Sequence, residues 1–532
     1  MKNINSNLSW SKQVVNLLYQ KGVRYACISP GSRNSPLIYQ FSNNSKIQCY
    51  SHLDERSGSF FALGLAKKTK SPVVILTTSG TATANLFPAI IESSMSMIPV
   101  IIITADRPKN LINTGENQTI NQTNIYGHYV RASLDISHKR TFGTLKKIDK
   151  LLNINKPSGP IHLNIRFNEP LMDKENVILK YNPQKPKNKI KKTSITLPLF
   201  KRPMIICGGL SKNNPTKILN LANKINSPIF TDILSNMRNL NSNKIKVYYE
   251  HYIDDLKYSP DLILRFGRKP ISKKLCQFLN KHNNKTVLIE PDGYFNDNCK
   301  NIIKSSLDNI ILKFSSKNST NEKWITDINN NEKKIKEVIS SKNKYINSEP
   351  NLIRLLKKCF KNEDYLFIGN STPIRSFDQY SGKFIEKINI FANRGASGID
   401  GLTSTALGMA ETNKLSKNYL VIGDVSLFHD SNAFQIKESF SSNLTIIVVN
   451  NKGGQIFSKL SYSNKNIKDF QKYWITPPKA EIKDLADLYK IKYYKLKLKD
   501  IKNKLNKISS YNGIKIIEVI IDASKDNIIN SK

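Results

Sequence analysis

Short apolar runs alternate with longer amphipathic segments along most of this chain. The clearest runs lie at residues 73–77, 99–104, 204–207, 262–266, 287–290, 366–369, 418–423, 444–449 and 515–521. Uninterrupted apolar runs of this length are typical of strands that are buried on both faces of a parallel sheet. Because helical patterns separate them, the sequence predicts an α/β fold with doubly wound parallel sheets, each covered by helices on both faces.

The length and the polar interruptions divide the chain. A chain of 532 residues exceeds what one hydrophobic core usually supports, and about three domains are expected. Residues 182–193 are polar and lack apolar periodicity, so we predict a linker there. The Lys-, Asn- and Ser-rich stretch 315–350 predicts one solvent-exposed helix before a second boundary. We therefore predict domains at residues 1–182, 195–345 and 350–532.

Composition narrows the possible partners. The net charge of +41 is mostly lysine spread along the chain, with one modest cluster at 185–192, and abundant Lys, Asn and Ile are what an AT-rich genome encodes. We interpret this charge as solvated surface and expect no nucleic-acid partner. No stretch approaches the ~20 apolar residues of a membrane span, and the first residues lack an apolar signal core. Six scattered cysteines without a Cys-x-x-Cys pair favour reduced thiols over a zinc site. We expect a cytoplasmic protein.

Candidate metal ligands follow two of the predicted strands. Asp424 comes directly after the run 418–423, and Asn451 and Gly453 follow the run 444–449. Carboxylate, amide and backbone carbonyl oxygens suit Mg²⁺, and the carboxyl ends of adjacent parallel strands are where such sheets bind phosphorylated cofactors. The arrangement resembles the signature of enzymes that bind thiamine diphosphate through Mg²⁺ or Mn²⁺. The alternative is two ordinary strand-to-loop turns, because Asp and Asn-Gly are common turn residues.

A candidate acid lies near the other end of the chain. Glu55 precedes an apolar helical segment at 60–66, and a turn of small residues follows at 78–84. Taken alone, an acidic residue at a helix start is explained by the helix dipole. In context the segment resembles the pyrimidine-binding domain of thiamine diphosphate enzymes, in which such an acid lies beside the aminopyrimidine ring and stabilises its imino tautomer.

Five motifs then occur in order, at residues 28–37, 104–108, 115–119, 393–401 and 450–457. Together they resemble the 2-succinyl-5-enolpyruvyl-6-hydroxy-3-cyclohexene-1-carboxylate synthase family of menaquinone (or phylloquinone) biosynthesis. The resemblance spans all three predicted domains, although the central one carries few motifs. It implies three thiamine diphosphate enzyme-type domains, a homodimer or dimer of dimers, and a transferase whose small-molecule substrates are 2-oxoglutarate and isochorismate.

The resemblance also assigns roles to individual residues. It implies Glu55 as the catalytic acid. The residues implied for cofactor binding are Glu55, Gly423, Asp424, Asn451, Gly453, Ile456 and Phe457, of which Asp424, Asn451 and Gly453 hold the metal. Those implied for isochorismate are Ser32, Arg33, Arg107, Gln118, Lys273 and Lys274. Those implied for the oxo acid and the later intermediate are Ser371, Arg375 and Arg394, with Leu460 completing an apolar wall beside Ile456 and Phe457.

Several alternatives remain open from the sequence. Lys273 and Lys274 follow a serine and could simply begin a solvated helix. A different thiamine diphosphate enzyme, such as an acetolactate synthase or an oxo-acid decarboxylase, would share Glu55 and the metal motif. A basic nucleic-acid-binding protein on an α/β scaffold, or an inactive homologue, would also be compatible with parts of the pattern.

Overall fold

The computed structural model describes residues 4, 6–137, 140–153, 158–175, 181–183, 192–210, 213–291, 297–343 and 346–526. Three six-stranded sheets follow one another along the chain, and every strand pair within them is parallel.

The first sheet has the strand order β2-β1-β3-β4-β6-β5. Its strands are β1 Tyr25–Ile28, β2 Gln48–Ser51, β3 Val73–Thr77, β4 Val100–Asp106, β5 Ala132–Ile136 and β6 Ile161–Arg166. Its helices are α1 Asn7–Gln20, α2 Ser35–Ser42, α3 Glu55–Thr69, α4 Thr81–Asn85, α5 Phe87–Ser96 and α6 Phe142–Leu152.

The central part of the chain forms a second sheet, of order β10-β9-β8-β11-β12-β13, and a separate parallel pair, β14-β7. The strands are β7 Thr193–Thr196, β8 Pro203–Cys207, β9 Ile229–Thr231, β10 Ile245–Lys246, β11 Leu262–Phe266, β12 Thr286–Ile289, β13 Asn301–Ile303 and β14 Ile310–Lys313. The helices are α7 Pro215–Lys224, α8 Lys273–Lys281 and α9 Glu322–Ser341.

The third sheet has the order β16-β15-β17-β18-β20-β19, which repeats the strand order of the first. Its strands are β15 Tyr365–Ile368, β16 Asn389–Phe391, β17 Asn418–Gly423, β18 Asn443–Asn450, β19 Lys492–Lys495 and β20 Gly513–Ile520. Its helices are α10 Glu349–Leu356, α11 Thr372–Tyr380, α12 Leu402–Glu411, α13 Asp424–His429, α14 Ile482–Leu488 and α15 Leu498–Ser509.

Alternate residues of the central strands enter different cores, as doubly wound sheets require. In β17, Leu420 and Ile422 belong to one hydrophobic cluster, whereas Tyr419 and Val421 belong to another on the opposite face. The predicted fold class is confirmed, and each predicted strand matches an observed one to within two residues at either end.

The first and third sheets share one hydrophobic core, because α3 packs directly on α12. A Cβ atom added at Gly64 would lie 2.1 Å from the carbonyl oxygen of Thr405, and one at Gly408 would lie 2.1 Å from that of Phe61. Phe61 and Gly64 of α3 thus oppose Gly408 and Thr405 of α12, in that order. The two helices therefore cross antiparallel with their backbones in contact. Only glycine at both positions permits this approach.

The central and third domains are joined by a buried ion pair. Arg238 donates from Nη2 to Oδ1 of Asp378 on α11 over 2.6 Å, and both side chains are almost fully buried. The hydroxyl of Tyr249 donates to the same carboxylate. These contacts fix α11 against the central domain.

The helix predicted within 315–350 is present as α9, and most of its residues are solvent-exposed as predicted, although one face packs on the central domain. One face is buried through Trp324, Ile328 and Ile339, and the Trp324 indole donates to the carbonyl of Pro203. The predicted domain limits stay predictions, and residues 184–191 of the predicted linker lie outside the described residues. Among the helices that the structure describes, none is long and apolar enough to cross a membrane.

Candidate active site

The three predicted metal ligands come together at the carboxyl ends of β17 and β18. The register pairs Gly423 with Val449, so Asp424 and Asn451 leave the sheet side by side. Oδ2 of Asp424 accepts a hydrogen bond of 2.8 Å from the Gly453 amide, and Oδ1 accepts one of 2.9 Å from its neighbour Val425. Gly453 has a φ of +116°, which favours glycine.

The electrostatics of this corner suit a cation. Burial raises the pKa of Asp424, and the amide hydrogen bonds from Gly453 and Val425 oppose that rise only in part. No ion pair to Asp424, and no hydrogen bond to the side chain of Asn451, occurs within the described residues. A buried carboxylate without a counter-ion is costly, and Mg²⁺ with one carboxylate, an amide oxygen and phosphate oxygens would compensate it.

Space for a ligand lies next to these residues. No atom approaches within 4 Å of the position that a Cβ would take on Gly423. A cavity of about 540 Å³ borders Asn451, and Gln455, Gln471 and Ile520 also line it. The residues present therefore fit a metal-bound diphosphate held at this sheet edge.

Glu55 begins α3, which Asp54 caps by accepting hydrogen bonds from the amides of Arg56 and Ser57. The carboxylate of Glu55 is half-buried and accepts a hydrogen bond of 3.2 Å from the side chain of Asn85 on α4. That single contact within the described residues leaves Glu55 free to meet another partner.

The predicted isochorismate residues of the first domain form one cluster. Nη1 of Arg107 donates to Oγ of Ser79 over 2.7 Å and to the carbonyl of Gln118 over 3.1 Å. Burial lowers the pKa of Arg107, and the charge of Arg33 lowers it further. Arg33 in turn pairs with Glu169 at 2.9 Å. Ser32 precedes Arg33 and is exposed.

The predicted oxo-acid residues form a second cluster, on the third domain. Ser371 has φ +71° and ψ −127°, a strained conformation for a residue with a side chain. Nη1 of Arg375 donates to the carbonyl of Ser371 over 2.6 Å, and Nη1 of Arg394 donates to Oδ1 of Asn370 over 3.1 Å. Burial lowers the pKa of Arg375, and the charge of Arg394 lowers it further. Two neighbouring, partly buried cations are what a dicarboxylate would neutralise.

The remaining predicted residues lie outside these clusters, at the start of α8 and around a short 3₁₀ helix. Lys273 and Lys274 begin α8 after the N-cap Ser272, and Lys274 makes an exposed ion pair with Asp254 at 3.4 Å. The structure thus shows the helix-start environment that the alternative interpretation required. Ile456 caps a short 3₁₀ helix, Phe457–Lys459, while Phe457 and Leu460 are each 37% exposed.

Sequence reasoning missed several polar residues that organise these clusters. Ser79 and Asn370 follow β3 and β15 and receive hydrogen bonds from Arg107 and Arg394 respectively. Each stands at the carboxyl end of a parallel strand, a position that could have identified it. Asn85, which contacts Glu55, carries no comparable signal.

Comparison with known proteins now identifies the class. Residues 9–125 match the family model described as thiamine pyrophosphate enzyme, N-terminal TPP binding domain. Residues 170–368 match the middle domain of thiamine pyrophosphate enzymes. With its three parallel sheets, and with Asp424, Asn451 and Gly453 at the carboxyl ends of two strands of the third sheet, the protein is a thiamine diphosphate enzyme.

Similar proteins narrow this class. The chain is 32% identical to the 2-succinyl-5-enolpyruvyl-6-hydroxy-3-cyclohexene-1-carboxylate synthase of Listeria innocua serovar 6a, over 94% of this chain and 92% of that protein. It is 32% identical to the synthase of the same name from Lysinibacillus sphaericus, over 97% and 95% of the two chains. For a Staphylococcus epidermidis synthase the identity is 33%, over 89% and 87%. The chain belongs to the 2-succinyl-5-enolpyruvyl-6-hydroxy-3-cyclohexene-1-carboxylate synthase family.

Proposed function

We propose that this enzyme decarboxylates 2-oxoglutarate and adds the remaining four-carbon unit to isochorismate. The product is 2-succinyl-5-enolpyruvyl-6-hydroxy-3-cyclohexene-1-carboxylate, an intermediate of menaquinone biosynthesis. The observation that carries the proposal is the pair of neighbouring, partly buried guanidinium groups of Arg375 and Arg394, next to the strained Ser371, in a chain of this family.

Bound thiamine diphosphate would supply the electron sink that lets carbon dioxide leave. Asp424, Asn451 and the carbonyl of Gly453 would hold Mg²⁺, or Mn²⁺ in its place, and through it the diphosphate. Glu55 would hold a proton beside the aminopyrimidine ring. The exposed apolar side chains of Phe457 and Leu460 would keep water from the reacting carbon.

The two cationic clusters would divide the substrates between them. Arg375 and Arg394 would bind the carboxylates of 2-oxoglutarate. Arg33, Arg107 and Gln118, with Ser32, would orient the isochorismate ring, and the enzyme would act chiefly by position and charge. For Lys273 and Lys274 we propose a weaker, outer contact with isochorismate, because Lys274 is exposed and already paired with Asp254.

We further propose a homodimer, alone or within a tetramer, in which Glu55 of one subunit and Asp424 of the other serve the same site. No hydrogen bond or ion pair within the described residues joins Glu55 to Asp424, Asn451 or Gly453.

The direct test measures isochorismate consumption with 2-oxoglutarate, thiamine diphosphate and Mg²⁺, and identifies the product by mass spectrometry. Each component is omitted in turn. An adduct that requires all four, with one carbon dioxide released per adduct, is the expected result. Release of carbon dioxide without isochorismate consumption would reject the acceptor and return the oxo-acid decarboxylase alternative.

Mixed subunits test the shared site. Glu55→Gln and Asp424→Asn are each expected to be inactive as homodimers. Co-expressed with different affinity tags and purified through both, they should give dimers with one intact site and up to half of the wild-type activity. Inactive mixed dimers would show that Glu55 and Asp424 of one chain serve the same site.

A further inference from the structure

One carboxylate of the first domain holds a loop of the third. Glu92, near the middle of α5, is 4% exposed. Its Oε1 accepts a hydrogen bond of 2.9 Å from the amide of Gly395, and its Oε2 accepts bonds of 2.7 Å and 3.4 Å from the amides of Ala396 and Ser397. Three successive backbone donors therefore converge on one side chain that lies about 300 residues away in sequence.

Hydrogen bonds compensate the burial of the Glu92 carboxylate. Burying a carboxylate is costly unless hydrogen bonds satisfy both of its oxygens. The loop amides and the hydroxyl of Ser96, which donates over 2.6 Å, supply those bonds.

A lysine of the first domain holds the other end of the same loop. Nζ of Lys67 on α3 donates to the carbonyl of Ala392 over 2.7 Å and to Oδ1 of Asn393 over 2.6 Å. Burial lowers the pKa of Lys67 to about 8, although the charge of Glu92 opposes the shift. The loop 392–397 thus lies between a partly buried cation and a buried anion, both from the first domain.

The fit against α5 is close. A Cβ atom on Gly395 would lie 2.7 Å from the backbone carbonyl oxygen of Glu92 and 2.8 Å from Oγ of Ser96. A larger residue at 395 would push the loop off its amide contacts. Glycine at position 395 therefore allows the loop to approach α5 closely enough for its amides to reach the Glu92 carboxylate.

Arg394 lies between the two attachment points. Its flanking residues, Asn393 and Gly395, are each bonded to the first domain, while its own guanidinium reaches Asn370 and neighbours Arg375. We propose that Glu92 is a positioning residue for Arg394: through the backbone of the loop it sets where that guanidinium meets the oxo acid. The inference rests on the proposed function, which gives Arg394 a carboxylate of 2-oxoglutarate.

The test compares Glu92→Gln with wild type in the holoenzyme, loaded with thiamine diphosphate and Mg²⁺. Glutamine keeps the shape but turns an NH₂ group toward the loop amides, so two donors face each other. We expect the KM for 2-oxoglutarate to rise at least tenfold, while the KM for isochorismate changes less than twofold. A merely structural defect would change both together or lower only the amount of folded enzyme.

Two further variants separate the possible results. Ser96→Ala removes one partner of Glu92 but no loop amide, and its KM values should match those of wild type within about twofold. If Glu92→Gln does not fold, Glu92→Asp, which is one methylene shorter, takes its place with the same expected change in KM.

The decisive comparison uses Arg394→Ala alone and combined with Glu92→Gln. If Glu92 acts through Arg394, the double variant has the same KM for 2-oxoglutarate as Arg394→Ala. An additional increase in the double variant, or an unchanged KM in Glu92→Gln, overturns the positioning role. An unchanged KM in Arg394→Ala instead overturns the substrate role given to Arg394 in the proposed function.

Discussion

The crossing of α3 and α12 allows the most quantitative prediction. Alanine at Gly64 or Gly408 would place a methyl carbon 2.1 Å from a backbone carbonyl oxygen of the other helix. Real Cβ contacts essentially never fall below 3.0 Å, so the helices must separate by about 1 Å. Because the opposing atoms belong to the backbone, no side-chain rotation can relieve the contact.

Two opposing energies set the size of the effect. Overpacking a close-packed core costs about 1–3 kcal/mol, and the rigid opposing carbonyl favours the upper end of that range. Replacing glycine by alanine within a helix returns about 1 kcal/mol through helix propensity. We therefore expect each single variant to lose about 2 kcal/mol of unfolding free energy.

Guanidinium unfolding followed by tryptophan fluorescence and circular dichroism measures this loss. The double variant should lose less than the sum of the two single losses, because the first methyl group already separates the helices. Gly209→Ala is the control, since its Cβ would lie 3.5 Å from the nearest atom, Cβ of Leu234. Wild-type stability in Gly64→Ala, or fully additive losses, would refute the touching-backbone geometry.

Three further predictions concern buried charges. Burial, together with the charge of Asp526, raises the pKa of Glu349 from 4.5 to about 7. Because the folded chain then binds a proton that the unfolded chain releases, the free energy of unfolding should fall as the pH rises from about 4.5 to above 7. Glu349→Gln should remove this pH dependence and be more stable than wild type by about 3 kcal/mol at pH 8, and thermal melts at pH 5 and pH 8 can check both; the same pH dependence in both proteins would contradict the assignment. Asp378→Ala should lower the free energy of unfolding by denaturant by about 3–5 kcal/mol, because it leaves the buried Arg238 without its counter-ion. A loss below 1 kcal/mol would argue against the ion pair as the link between the domains. Asp424→Asn should weaken Mg²⁺-dependent binding of thiamine diphosphate about 100-fold by calorimetry with the fold unchanged in circular dichroism, and unchanged affinity would remove Asp424 from the metal site.

The sheets could be predicted because strands buried on both faces leave an unbroken apolar run. The predicted run 287–290, for example, corresponds to β12 at Thr286–Ile289. The buried face of α9 was not predicted because many Lys and Asn residues surround its few apolar residues. Trp324 and Ile328 lie four residues apart and Ile339 eleven further on, a spacing that keeps all three near one face of a helix.

The candidate site could be predicted where motif residues lie at strand ends, as for Asp424 and Gly453, which do meet. Glu92 and Lys67 could not be predicted, because a charged residue within a helix does not by itself indicate a distant partner. Their significance arises only when the first and third domains pack together. Pairings between residues about 300 positions apart leave no periodic signal in one sequence.

The shared core of the first and third sheets has a consequence for how the protein is made. The end of α3 leaves the ribosome about 330 residues before α12 begins. At ~5–20 residues per second, translation takes roughly 20 to 70 s to supply that partner. Throughout this interval the face of α3 that carries Gly64 lacks α12, its native partner. This surface is therefore open to aggregation during synthesis, and we expect the yield in a cell to depend on chaperone capacity and on the pace of translation.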